Sequence, residues 1–163
     1  MTTRNSPLVT NTAASPIVMN DAALLGGVKR VAQGTMELLA GDSTDNDVIF
    51  FAGIPSQATI TSIIIGSDTL GGSCTFNVGL HTEAGVVVDE DYFASLVADA
   101  GAMTELRYEA AAINTTGLKV YEMADVADPG GLFYVSATFA ATGGTAGTMS
   151  FIICLLYTSP SPR

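Results

Sequence analysis

Positively charged residues are scarce in this 163-residue chain, and their scarcity excludes several classes of function. Six Lys and Arg stand against 16 Asp and Glu, which gives a formal net charge of −10. Nucleic-acid binding requires a basic surface for the phosphates, so we expect no nucleic-acid partner. An anionic membrane surface is disfavoured for the same reason. The apolar runs are also too short for a membrane-spanning helix, and we expect no membrane partner.

Histidine, cysteine and tryptophan are nearly absent, with one, two and none in the chain. Two cysteines do not make a disulfide scaffold at this length, and they do not make a zinc site with a single histidine. A nucleophilic triad would have to use His81. No nucleophile elbow, phosphate-binding loop or dinucleotide-binding motif is present. We therefore predict a protein that is not an enzyme, with no catalytic residue and no cofactor.

Charged residues of both signs make up only 13% of the chain, whereas hydrophobic residues make up 48%. This composition excludes disorder throughout, because disordered chains are rich in charge and poor in apolar residues. The length suits one domain with an arm. The N-terminus lacks the apolar stretch of a secretory signal. We predict an extended arm over residues 1–27, which shows neither a helical nor a strand period, and a folded domain over residues 28–153.

The last ten residues, 154–163, read CLLYTSPSPR. This peptide resembles the translation of a sequencing adapter, and we interpret it as an artefact tail of environmental sequence assembly. The alternative is a natural tail rich in Ser and Pro. Under the adapter interpretation Cys74 is the only natural cysteine. The true C-terminal sequence beyond Ile153 is then open.

Short β-rich segments separated by turns fill the domain. The clearest alternation is that of Cys74, Phe76, Val78 and Leu80 with polar neighbours, which predicts a half-buried strand. A bulge is predicted at Gly34 in the first strand. The remaining predicted strands cover residues 28–38, 48–52, 58–65, 86–88, 118–123, 132–140 and 148–153.

One short helix is predicted over residues 89–100. Acidic residues at its start suit a helix N-terminus, and Tyr92, Phe93, Leu96 and Val97 fall on one helical stripe. About eight short strands with one helix predict a mainly β fold, an antiparallel β-sandwich of jelly-roll type. Regular strand–helix alternation, which a doubly wound fold requires, is missing.

Few residues are candidates for a site. Asp42, Asp45 and Asp47 are weak candidate calcium ligands, because their spacing is not that of an EF-hand and turn formation is the default explanation for them. Cys74 is interpreted as an inert core thiol and His81 as a solvated residue at the rim of its strand. In the arm, three apolar residues are candidate contacts with a partner: Val9, Ile17 and Val18.

Several motifs follow one another along residues 28–153 in a characteristic order. They are the strand 28–38, the block 48–65 with Ile54-Pro55-Ser56, the segments 76–80 and 85–93, the turn Asp128-Pro129-Gly130-Gly131, and a Gly-rich closing hairpin with Ala146-Gly147-Thr148. In this order the domain resembles small structural virion proteins of tailed bacteriophages. The resemblance implies a capsid decoration or other head-associated protein located in the virion, with the capsid shell and other virion proteins as partners. It also implies a homo-oligomer, with a trimer as the first expectation.

A different class of function stays open beside this one. A tail-fibre, receptor-binding or carbohydrate-binding β-sandwich would expose aromatic side chains in one patch. The tyrosines that could form such a patch are Tyr92, Tyr108, Tyr121 and Tyr134.

Overall fold

The computed structural model describes residues 7–19, 28–99, 103–106 and 117–157. Eight strands make up most of it, as predicted, and the helices are short. In chain order the elements are α1 (Pro7–Ala13), β1 (Val28–Leu38), β2 (Val48–Pro55), β3 (Ala58–Ser67), β4 (Thr75–Thr82), β5 (Val87–Ala98), β6 (Thr104–Glu105), α2 (Val120–Met123), β7 (Leu132–Ala141) and β8 (Gly147–Tyr157). Within these described ranges, neither helix is long and apolar enough to cross a membrane.

The strands form two four-stranded sheets. The first sheet has the order β1-β8-β3-β6 and the second the order β2-β7-β4-β5. The antiparallel pairs include β1 with β8, β2 with β7, β3 with β6, and β4 with β5. The chain is therefore one long hairpin, folded between β4 and β5 and then rolled up. This strand connectivity is that of a jelly roll, and it confirms the predicted fold class.

The core lies between the two sheets and is almost entirely apolar. In the regular strands alternate residues point into it, as the pleat of a strand requires. In β4 these are the predicted Phe76, Val78 and Leu80, with Cys74 just before the strand. The largest buried apolar side chains are Phe76, Phe93, Phe139, Ile54, Ile60, Ile63, Leu70, Leu80, Leu106, Met149 and Ile153.

The helix predicted over residues 89–100 is wrong, because Val87–Ala98 form β5. This strand pairs with β4 through several register shifts, and Leu96 has a positive φ of 53°. At Gly79 the backbone of β5 crosses directly above β4. A Cβ atom on Gly79 would lie 2.0 Å from the Asp89 carbonyl oxygen. Because of the bulges, the consecutive residues Phe93 and Ala94 are both buried. The resulting pattern of apolar residues is similar to that of a helix.

Three smaller expectations also differ from the structure. The strand predicted over residues 118–123 is replaced by α2, whose buried Val120 and Met123 are three residues apart on one helical face. Part of the predicted extended arm forms α1. No bulge occurs at Gly34, which pairs in regular register with Phe151. A Cβ atom there would lie 2.9 Å from the Phe151 ring, so the glycine makes room for that ring.

Strand β8 continues beyond Ile153 into the segment interpreted as adapter-derived. Cys154 pairs with Val31 on one side and with Ser62 on the other, and the pairing runs to Tyr157. These contacts give the position of residues 154–157 in the sheet, and they do not test whether the sequence of this segment derives from an adapter. The artefact tail and the domain boundary at Ile153 therefore stay predictions.

Candidate interaction surface

The N-terminal arm presents apolar side chains to solvent. Val9 lies on α1, and Ile17 and Val18 follow a bend of the chain. All three are exposed, Ile17 to 69%. Met19, which the sequence reasoning did not single out, is exposed to 87%. Their exposure leaves these side chains available to a partner surface, and their role as partner contacts stays a prediction.

A second apolar surface lies at the end of the sandwich where β4 leads into β5 and where the chain enters β7. We name it the loop-end groove. Its apolar lining residues are Ala84, Val88, Val126, Ala127, Pro129, Leu132 and Phe133. The sequence reasoning missed it because its residues come from two turns that are distant in the chain. Their proximity becomes visible only when the pairing of β4 with β7 is known.

One wall of this groove is held in shape by Asp128. Its carboxylate accepts a hydrogen bond from the Ser56 hydroxyl at 2.6 Å and one from the Gly130 N–H at 3.0 Å. The side-chain amide of Gln57 donates a further one. These hydrogen bonds lower the pKa of Asp128, and the bond from Ser56 has the largest effect. The predicted turn at 128–131 is therefore tied to the β2–β3 connection, and the groove does not depend on a loose loop.

The candidate calcium ligands lie in the turn between β1 and β2. Asp42 accepts a hydrogen bond from the Leu39 N–H at 2.8 Å, and Asp47 accepts one from the Thr44 N–H at 2.9 Å. These are the bonds that such residues make when they close turns. Within the described ranges, no three His, Cys, Asp or Glu side chains form a group that could hold a metal ion. The arrangement gives the turn interpretation its structural basis.

His81 is not a solvated rim residue, and that prediction is wrong. The side chain is only 1% exposed, although it projects from the outer face of the second sheet. Phe50 packs edge-on against the imidazole with ring centroids 5.3 Å apart. His81 Nδ1 shares a hydrogen bond of 2.7 Å with the Ser136 hydroxyl. Ser136 is itself fully buried, so this His–Ser pair is out of reach of a substrate.

Burial of His81 predicts that acid destabilises the fold. Burial lowers the pKa of His81, and the nearby Glu90 carboxylate opposes this shift. The unfolded chain therefore takes up the proton first, and the free energy of unfolding falls as the pH drops below the ordinary histidine value of about 6.5.

The measurement is the denaturation midpoint between about pH 7.5 and 5.5, above most carboxylate titrations. His81→Gln removes the titrating group and should flatten this dependence, whatever its effect on absolute stability. An equally steep decline in the variant would contradict the prediction.

The other residues of interest from the sequence are dispersed. Cys74 is buried, as predicted. Its burial raises the pKa of the thiol, and the negative charge of Asp99 raises it further. Tyr92 and Tyr121 are partly buried against the core. Tyr134 packs against Phe50 with ring centroids 5.1 Å apart, and Tyr108 lies outside the described residues. The three described tyrosines lie on three different elements, β5, α2 and β7.

Known proteins resemble this chain in structure and not in sequence. No family model matches the sequence, and no curated protein matches it. A chain of the cyanophage Pam1 capsid asymmetric unit aligns with a TM-score of 0.55 and 19% identity, over 82% of this chain and 87% of that chain. A chain of the capsid of Ralstonia phage GP4 aligns with a TM-score of 0.54 and 15% identity, over 80% and 86%. The rolled-up hairpin of this protein is thus the fold of chains found in two phage capsids.

Proposed function

We propose that this chain is a non-enzymatic structural protein of a bacteriophage virion, a capsid decoration or other head-associated protein. The observation that carries the proposal is the match over more than four-fifths of its length to chains of two phage capsids. The match covers a similar share of those chains, so the likeness concerns nearly whole proteins. The order of sequence motifs points to the same class of protein independently of the fold.

The chain binds other virion proteins through the arm and the sandwich surface. Such binding needs apolar anchors and a scaffold that keeps its shape. The arm supplies the anchors in Ile17 and Val18, and the two packed sheets supply the scaffold. Burying an exposed aliphatic side chain of this size contributes about 1.5–3 kcal/mol. Two such anchors in one arm suffice for a measurable effect on capsid affinity.

Binding to heads assembled without this chain tests the proposal. We expect the full chain to bind in near-stoichiometric ratio to the major shell subunit, measured by co-sedimentation and quantitative mass spectrometry. The double substitution Ile17→Asp with Val18→Asp should weaken binding about tenfold or more, because charged side chains cannot enter an apolar contact. Leu39→Asp is the matched control, since Leu39 is as exposed as Ile17 but lies outside the arm.

Two outcomes would contradict the proposal. The chain would be absent from purified heads, or it would occur in a few copies per particle and bind cells or glycans. The second outcome would favour the tail-fibre or carbohydrate-binding alternative.

A further inference from the structure

Strand β1 forms one edge of the first sheet. Among the described strands it pairs only with β8, through an unbroken register from Val28 to Leu38. None of the described residues pairs with its other side, and the row of backbone N–H and C=O groups there is a template for a further strand. Proline and register shifts, two devices that usually block such an edge, are missing from β1. Val28 and Val31 are 66% and 55% exposed along it.

The residues of β1 are complementary to β1 itself when two copies run antiparallel. The register that overlaps the whole strand places Val28 opposite Leu38 of the second copy. The same register places Lys29 of each copy opposite Glu37 of the other copy, which gives two such pairs. Gln33 of one copy lies opposite Gln33 of the other, on the two-fold axis. Directly opposed residues lie on the same face of a sheet, so each pair of opposite charges is adjacent.

The Glu37 carboxylate lies on the exposed face of the sheet, where it contacts the strand on the other side of β1. The Thr148 hydroxyl of the neighbouring strand lies 3.1 and 3.2 Å from its two oxygens and donates to it. This contact fixes the carboxylate over the outer face of the sheet. The opposing Lys29 belongs to one of the few basic segments of an acidic chain, the pair Lys29-Arg30.

Other registers lose this complementarity. Parallel pairing in register would set Lys29 beside Lys29 and Arg30 beside Arg30, and like charges directly opposite are destabilising. A shift by one residue would exchange the two faces of one strand. A shift by two residues would remove both Lys29–Glu37 pairs and leave strand ends unpaired.

We propose that the β1 edge is a self-interaction site whose occupant is a second copy of this chain. Two copies pair antiparallel through β1 about a two-fold axis at Gln33, and their first sheets join into one continuous sheet. The contact is isologous, so each copy gives the same surface that it receives. It forms between isolated chains, and it therefore stands or falls separately from the proposed role in the virion.

Cross-linking at the axis tests the geometry. The background for this test is the full chain with Cys154→Ser, which removes the thiol next to Val31 on the outer face of the sheet. In this background, Gln33→Cys should give a dimer that is linked by a disulfide under mild oxidation and released by a reductant. Opposed Cα atoms in antiparallel strands are about 4.5–5.5 Å apart, which is within disulfide range. Thr35→Cys is the matched control on the same strand face. Its two copies would be about 14 Å apart, and no cross-link is expected.

Charge exchange tests the register. Lys29→Glu or Glu37→Lys alone converts two attractive pairs into two repulsive ones and should weaken dimerisation about tenfold or more in sedimentation equilibrium. The double variant Lys29→Glu with Glu37→Lys restores opposite charges and should recover the dimer. Thermal unfolding of each variant separates loss of pairing from loss of folding, because Glu37 also contacts Thr148.

Three outcomes would overturn the proposal. The first is a monomer at every concentration, and the second is equal cross-linking at residues 33 and 35. The third is a trimer whose stability neither charge change alters. A three-fold axis cannot pair β1 of one copy antiparallel with β1 of another, because that pairing has two-fold symmetry. The trimer expected by analogy is therefore the direct competitor of the β1 dimer.

Discussion

Replacing Gly79 by alanine is expected to lower the free energy of unfolding by about 3 kcal/mol or more. The added Cβ would lie 2.0 Å from the Asp89 carbonyl oxygen and 2.4 Å from the Glu90 carbonyl carbon. Both atoms belong to the backbone of β5, so no side chain can turn aside to make room. The strand would have to lift away from the face that it covers.

Chemical denaturation of the Gly79→Ala variant measures the loss directly. The matched control is Gly41→Ala, because an added Cβ at Gly41 meets nothing within 4 Å. The control should change stability by no more than about 0.5 kcal/mol, as is usual for exposed positions. Equal midpoints for the two variants would show that β5 does not cross above Gly79.

Truncation of Phe76 to alanine should cost about 3–5 kcal/mol, the range for aromatic residues in a packed core. Phe76 is 2% exposed and packs edge-on against Phe139 with ring centroids 6.1 Å apart. The same truncation at Phe50 provides the comparison, because Phe50 is on the outer face of the same sheet and is 40% exposed. Its loss should be about 1 kcal/mol, from the ring contacts with His81 and Tyr134.

Thermal and denaturant unfolding of both phenylalanine variants give the two values. A larger loss at Phe50 than at Phe76 would mean that the faces of the second sheet are assigned the wrong way round.

Alternation of polar and apolar residues was sufficient to predict the strands that follow a regular pleat. In β4 the residues Phe76, Val78 and Leu80 point inward as the pattern indicates, and in β7 the same holds for Phe133, Val135 and Phe139. The turn before β7 was predictable because Asp, Pro and Gly each have a defined role in turns. Gly130 there has a positive φ of 72°, which glycine adopts without strain.

Strand β5 could not be predicted because its burial is set by an irregular pairing with another strand, β4. Repeated register shifts against β4 break the period of two, and Phe93 and Ala94 become buried side by side. A local pattern with this spacing is typical of a helix. The glycine that permits the crossing, Gly79, lies in another strand, so nothing within residues 89–100 indicates it.

His81 was misplaced for a related reason. Alternation indicates which of two faces a residue occupies, and His81 does lie on the face opposite the core of the sandwich. Exposure on that face depends on what packs against the side chain, and here the Phe50 ring does so and His81 is only 1% exposed. The candidate site has the same dependence. The arm residues were identifiable from the sequence, whereas the loop-end groove and the edge position of β1 required the strand order.

The rolled-up hairpin also predicts how the chain reaches its native state. The pair β4 and β5 is joined by a short turn, so it closes the smallest loop. Each further pair encloses the previous one, and the last, β1 with β8, joins Val28 to Tyr157. The entropy lost on closing a loop grows with its length, and folds dominated by distant contacts fold in milliseconds to seconds. The β4–β5 hairpin should therefore gain protection from hydrogen exchange first, and the self-complementary edge of β1 should form last, when the rest of the sandwich is in place.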